Sequence, residues 1–440
     1  MDRRRFVARA VSMGALLPLA CDNQPVAPVA PTHPSPSEPP ADPGPRYDVQ
    51  DYGAVGDGLH DDTDAFARAL DALPPQGGTL AVPAGVYLIN PLRSIVLRDG
   101  VTLALEDGTV LKAIPVVASE SQVILASGAR NIRIAGGSIA GERVGHLGAG
   151  GEWGMGIRLY GCDGAVIEDV CIHDCWGDGI CVGSIDTTRP TESRNLVIRR
   201  CRSVNNRRQG LSITGCIGAV IEDCEFSGTN GTPPQSGIDL EPDDSAVVRD
   251  VRITRCRAVR NAGDGMMLVG RNVTDVTLER NELSQNGLNG LFVRDASRFV
   301  IADNMIGLNG WNGIWLQTAR QAEVSANVIG SNSCADPGAY DNASVDVSSS
   351  DNVLTDNNFM RTFPGHTNVS RFDIYVASQE CAGNRLHGNL VRESRANAGG
   401  IVDNGSRTEI TPPSPDAVKR PMRLRPTPAR WRTGQRLVSR

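Results

Sequence analysis

Residues 286–317 read NGLNGLFVRDASRFVIADNMIGLNGWNGIWLQ. Two pieces of this stretch are near-copies, GLFVR from Gly290 and GIWLQ from Gly313, 23 residues apart. Each is a glycine followed by an apolar–x–apolar run, the alternation of a short strand. The unit recurs upstream as GIRLY from Gly156, GICVG from Gly179, GLSIT from Gly210, GIDLE from Gly237 and GMMLV from Gly265. A period in the twenties built from short strands is the signature of a stacked solenoid. Leucine-rich repeats share the period, but their fixed Leu pattern and Asn-x-Leu step are missing.

A second register runs with the first. Each unit carries a turn position before its glycine, occupied in order by Val170, Cys201, Cys224, Cys256, Asn281, Asn304 and Asn327. Asparagines stacked at a bend hydrogen-bond from coil to coil, and a buried thiol packs as a small apolar group. These features predict an all-β chain, a right-handed parallel β-helix with three short strands per coil and coils about 4.8 Å apart. The cysteines show no zinc-like CxxC spacing. They read as a ladder of free thiols, with Cys171–Cys175 and Cys334–Cys381 as the alternatives that could pair.

The 440 residues include 48 glycines and carry a net charge of −6, which favours turns over long helices and gives no footing for nucleic acid. The start, MDRRRFVARAVSMGALLPLAC, has a basic head, a short apolar run and small residues before Cys21. That is an export signal, too short to span a membrane. DRRRFV resembles a twin-arginine signal, and PLAC resembles a lipoprotein site with Cys21 as the lipidated residue. The expected organisation is an export signal over 1–21, a Pro-rich linker over 22–46, the β-helix over 47–410 and a basic Pro-rich tail over 411–440. The expected location is the periplasm or cell envelope, with membrane contact only through a lipid on Cys21 and a monomeric protein.

The front of the β-helix, with GAVGDGLHDDT at 53–63 and VPAGVYLI at 82–89, closely resembles the opening of the pectate-lyase-like superfamily, including its rhamnogalacturonase-like and epimerase-like members. Asp61, Asp62 and Thr63 suit the start of a helix through about Leu73. The resemblance implies that this helix caps the solenoid's open end, and that the substrate is a polysaccharide or oligosaccharide. It does not fix the reaction.

The strand alternation places candidate site residues. In each unit the glycine and the second and fourth residues after it are expected to point outward. One outward row is then Arg158, Cys181, Ser212, Asp239, Met267, Phe292 and Trp315; Glu241 belongs to the next. Asp239 and Glu241 are expected to face solvent on one strand, with Arg208 about one coil below, Asp264 one coil above and Asp178 two coils below. Asp239, Glu241, Asp264 and Arg208 are the catalytic candidates. Asp178, Arg207, Gln209, Trp153, Trp176 and Trp315 are the substrate-binding candidates, beside inserted loops at 141–153, 184–193 and 227–236. His146 and Glu152 sit in the first of these loops and are possible helpers.

Two chemistries compete. In hydrolysis, one carboxyl protonates the leaving oxygen and another activates water, with no cofactor. In elimination or epimerisation at a uronate, as the resemblance suggests, Arg208 or Arg207 is the base, and calcium bound by Asp239, Glu241 and Asp178 neutralises the carboxylate. The Asp-Pro-His motif of alginate epimerases is absent, and GDGI at 177–180 lacks the second Asp of polygalacturonases. A non-catalytic glycan-binding surface protein is the third possibility.

Overall fold

The computed structural model describes residues 44–414, apart from 187–188, 244, 361, 364 and 394–398. The expected export signal with Cys21, and the expected basic tail apart from residues 411–414, lie outside the described residues. The chain winds into a parallel β-solenoid whose three sheets hold 14, 11 and 12 strands; they are called the first, second and third sheets below. One coil gives Val273–Glu279 to the first, Glu282–Ser284 to the second and Leu291–Arg294 to the third. The next coil stacks in parallel register, pairing Val276 with Phe299, Leu283 with Ile306 and Leu291 with Ile314. Alternate residues point inward, so Leu278, Leu283, Leu291 and Val293 are fully buried in one core that runs from Val49 to Leu386.

At the N-terminal end, Thr63–Ala72 is helical and buries Ala65, Phe66, Ala69 and Leu70. The Asp61 carboxylate accepts from the Thr63 N–H at 2.9 Å. Asp62 instead accepts from Val55 and Gly56 at 2.6 and 3.3 Å, tying the GAVG turn to the helix start. Phe66 meets Tyr87 edge-on at 5.7 Å, so the helix is seated on the solenoid's end.

The predicted asparagine ladder is present and continues further than expected. Asn281 donates its N–H to Asn304 Oδ1 at 2.8 Å, Asn304 to Asn327 at 2.9 Å, and Asn327 to Asn357 at 3.0 Å. Cys256 joins the thiols to the amides through its N–H bond to Asn281 Oδ1 at 2.9 Å. All ten described cysteines are free thiols, so neither alternative disulfide forms.

A second ladder, not foreseen, lies at the corner before the third sheet. Asn261 donates to Asn286, Asn286 to Asn309 and Asn309 to Asn332, each through both its backbone N–H and its side-chain amide. It corrects one expectation. The repeat glycines do not point outward; at Gly237, Gly265, Gly290 and Gly313 an added side chain would enter this ladder. A Cβ on Gly290 would lie 2.6 Å from Ile306 Cγ2, 2.7 Å from the Gly313 carbonyl oxygen and 2.8 Å from Asn309 Nδ2. The glycine is required by close packing, not by a left-handed backbone. Gly290→Ala should therefore cost about 1–3 kcal/mol in urea unfolding. Gly150→Ala, at a site with nothing within 4 Å of the added carbon, should change the midpoint little.

Candidate active site

The outward row of the third sheet is as the alternation predicts. Arg158, Cys181, Ser212, Asp239, Met267, Phe292 and Trp315 are direct neighbours in consecutive strands. At the corner, the residue before each glycine, and Asp341 before Asn342 in the equivalent place, form a second line: Asp178, Gln209, Ser236, Asp264, Asn289, Asn312 and Asp341. The carbonyl of each, from Gln209 on, accepts the N–H of the preceding coil's glycine-position residue. Asp178, Arg208 with Gln209, Asp239 and Asp264 thus come from four consecutive coils.

The expected exposure is wrong. Asp239 is only 3 % exposed, and Asp178, Arg208, Gln209 and Asp264 are equally buried. Long side chains from the corner are laid back onto the sheet. Arg208 Nη1 donates to Asp178 Oδ2 at 2.8 Å, and Gln209 Nε2 donates to Asp239 Oδ2 at 2.7 Å. Gln209 Oε1 in turn accepts the Ser236 N–H at 3.0 Å. Glu152 approaches the other side of Arg208, with Oε2 3.9 Å from Nε. Glu241 is half-buried and lies just past the end of the strand Ile238–Leu240.

Two charge states follow. Burial alone would lower the Arg208 guanidinium, but the carboxylates of Asp178 and Asp239 outweigh it and hold Arg208 above its ordinary range. Arg208 is held as a cation, paired with Asp178. Asp264 goes the other way: burial pushes its carboxyl up to about 6, against the lowering effect of the bonds from Asn289. Its Oδ1 accepts both the N–H and the side-chain amide of Asn289 at 2.8 Å. Asp264 thus fills a place that Asn289 fills in the next coil, where Asn289 Oδ1 accepts from Asn312.

The tryptophans separate. Trp176 is sandwiched: the His146 ring stacks on it at 3.8 Å and 13°, and the Arg207 guanidinium stands 3.8 Å from its ring centre. Two planar groups cannot both take that distance on one side, so they hold opposite faces. His146 also pairs with Glu142, Nδ1 to Oε1 at 2.8 Å. Arg207 donates to the Gly151 carbonyl at 2.7 Å, and burial lowers its pKa. This column braces the corner loops; Trp176 has no free face for a sugar. Trp153 is 37 % exposed at the start of its strand. Trp315 stands in the outward row, 5.2 Å from Phe292.

Calcium does not suit the carboxylates assigned to it. Asp178 already binds the Arg208 cation, Asp239 lies in the same field, and among the described residues no group of three or more His, Cys, Asp or Glu side chains is placed to hold a metal ion.

A single-handed stack of parallel coils, capped by a helix and carrying a charged cluster on one sheet, is the build of a pectate-lyase-like β-helix protein. Residues 94–241 and 236–412 match the family described as right handed beta helix region, and residues 47–127 match that described as rhamnogalacturonase A/epimerase, pectate lyase-like. The chain belongs to the right-handed β-helix family. It is 34 % identical over 215 residues to the uncharacterized protein YclG of Bacillus subtilis, covering 43 % of this chain and 37 % of that one. It is 42 % identical over 77 residues to mannuronan C5-epimerase AlgE1 of Azotobacter vinelandii, covering 16 % of this chain and 5 % of the epimerase. The chain thus spans about a third of the length of the first relative and a small part of the second. Among solved structures, the mannuronan C-5 epimerase AlgE6 A-module of the same bacterium superposes with a TM-score of 0.70 at 20 % identity, covering 84 % of this chain and all of the module.

Proposed function

We propose that the protein is an exported carbohydrate-active enzyme that cleaves a polysaccharide by hydrolysis, with Asp239 as the ionised carboxylate and Asp264 as the proton donor. The observation that carries this reading is the different neighbours of two buried carboxyls in adjacent coils. Asp239 accepts from Gln209 Nε2, and its carboxylate is one of the charges that raise Arg208. Asp264, buried away from any cation, keeps its proton to about pH 6. Two carboxyls held in different protonation states are what acid–base cleavage of a glycosidic bond needs. Asp178 fixes Arg208, and Gln209 orients Asp239. The carbohydrate-acting names among the relatives supply the substrate class.

A second reading has one specific support, the stretch shared with a mannuronan epimerase. In an elimination or epimerisation at a uronate, Arg208 would neutralise the sugar carboxylate, and Arg207, lowered by burial, would take the proton. The deciding experiment incubates the full chain with a panel of neutral and acidic polysaccharides. New reducing ends without unsaturated-uronate absorbance support hydrolysis. Absorbance together with new ends means a lyase, and altered proton NMR without new ends means an epimerase. Binding without any product means a glycan-binding protein.

Asp264 also gives a stability prediction. Its folded pKa, about 6, lies above the ordinary value of 3.8. Between these values the folded protein binds more protons than the unfolded chain, so stability falls as pH rises through this window. Asn would mimic the protonated acid and continue the amide line. Asp264→Asn should raise unfolding stability at pH 8 by roughly 2–3 kcal/mol, lose the gain by pH 4, and abolish turnover. A variant no more stable than the parent at pH 8 would show that Asp264 is not strained by its charge.

A further inference from the structure

The third sheet changes character beyond the acid cluster. Past Met267 its outward row continues through Phe292, Trp315, Ser344 and Tyr375, one residue per coil. Phe292 and Trp315 are in ring contact at 5.2 Å. Along the corner beside them, Trp311 stacks on Tyr340 at 5.2 Å and 13°. One coil on, Phe372 stacks on Tyr375 at 5.8 Å and 21°. Of these aromatic residues all but Phe292 are partly exposed, while Ser344 is buried. Towards the N-terminus the same row holds Val96, Leu125 and Arg158, and Arg158 is tied to Glu120. The aromatic surface is therefore one-sided.

Its far edge sets what it can bind. There, paired coil by coil, stand Arg294, Gln317 and Asp346, each half-exposed: a cation, an amide and an anion in succession. A ligand of one charge sign, such as a nucleic-acid backbone, would be attracted by one and repelled by another. A purely apolar partner would bury all three without matching them. A chain of pyranose rings presents apolar C–H faces to aromatic rings and hydroxyls, both donor and acceptor, to the edge. Each of the coils of Phe292, Trp315 and Ser344 offers one aromatic or small floor residue and one polar edge residue; in the Tyr375 coil the edge position is Ala377.

We infer that the strip from Phe292 to Tyr375 is a polysaccharide-binding surface, on which sugar rings stack on Trp315 and pack against Tyr375, whose ring also meets Phe372 and the Arg371 guanidinium, while their hydroxyls are held by Arg294, Gln317 and Asp346. It extends from the Asp239 cluster toward the C-terminal coils. The strip rests on the carbohydrate reading for its ligand class, but not on any catalytic role of the cluster.

The test is affinity electrophoresis of the full chain through gels containing alginate, polygalacturonate or galactomannan, with turnover measured on the same polymers. Trp315→Ala and Tyr375→Ala should each weaken retardation about tenfold. Trp315→Tyr, which keeps a ring, should stay within about threefold of the parent. Thermal melting checks that the variants are folded. Retardation that is the same in parent, Trp315→Ala and Tyr375→Ala overturns the strip and leaves the enzyme reading standing. Retardation lost in the alanine variants of a protein that yields no product supports the strip and overturns the enzyme reading. A parent retarded by none of the three polymers overturns the strip.

Discussion

Asp239→Asn should lower turnover on the polysaccharide that proves to be the substrate by roughly 10²–10⁴-fold, with the melting temperature changed by no more than a few degrees. Asparagine has the same shape, and its side-chain oxygen can still accept from Gln209 Nε2, the bond that is 2.7 Å in the parent. Arg208 keeps its partner Asp178. What disappears is the carboxylate on the row between Ser212 and Met267, the group proposed to act as the ionised one. Steady-state rates together with a melting curve separate the two roles. A folded Asp239→Asn variant with parental turnover would make Asp239 a counter-charge for Arg208 and nothing more. Glu241→Gln is a useful companion, because Glu241 lies beyond the strand and outside the buried network; a comparable loss there would move the base from Asp239 to Glu241.

The largest expected effect on stability lies far from this cluster. Asn304 accepts the N–H and side-chain amide of Asn281 at 2.8 and 3.1 Å, and donates its own amide to Leu278 O and Asn327 Oδ1, both at 2.9 Å. All of these groups are buried. Asn304→Ala removes the shared partner and strands several polar groups where water cannot replace it. At about 1–3 kcal/mol for a buried group left unsatisfied, and with some relaxation, the loss should be on the order of 3–5 kcal/mol. Urea unfolding measures it. In a solenoid each coil is held mainly by its neighbours, so hydrogen exchange should quicken first in the coils around 278–327. A loss below about 1 kcal/mol would mean the ladder is decorative.

The sequence carried the third sheet almost to the residue. The glycine spacing set the register, and the register set Asp239 beside Ser212 and Met267 and placed Asp178, Arg208 and Asp264 in the right coils. It could not carry burial. Whether Arg208 reaches into solvent or lies across the sheet to Asp178 depends on side-chain direction and loop packing, which have no period. The second asparagine ladder did leave a signal, in NAGDG at 261, NGLNG at 286 and NGWNG at 309. Each begins with a ladder amide, which excludes a side chain from the repeat glycine of the preceding coil: Asn261 from Gly237, Asn286 from Gly265 and Asn309 from Gly290. Phe292 and Trp315 were legible in the repeat, but the C-terminal half of the aromatic strip was hidden for a related reason. After Gly313 the glycine position is taken by Asn342 and then Asp373. Asn332 donates to Asn342 Oδ1 at 3.0 Å and Asn342 to Asp373 Oδ1 at 2.9 Å, so the ladder moves onto that position and the glycine mark ends. Tyr340, Phe372 and Tyr375 lie in those unmarked coils.

The parallel stacking of coils has a consequence for how such a protein can change. Asp239 and the aromatic residues occupy one row, and their separation is a whole number of coils of about 4.8 Å each. Gaining or losing one 23-residue unit, such as that from Gly290 to Gly313, would slide the aromatic surface along the axis by one step. The ladders would close again behind it, because each amide asks only for another amide at the same place. Distance between the two regions is thus set by counting, and variants that differ by one unit should prefer chains that differ by a fixed increment of length.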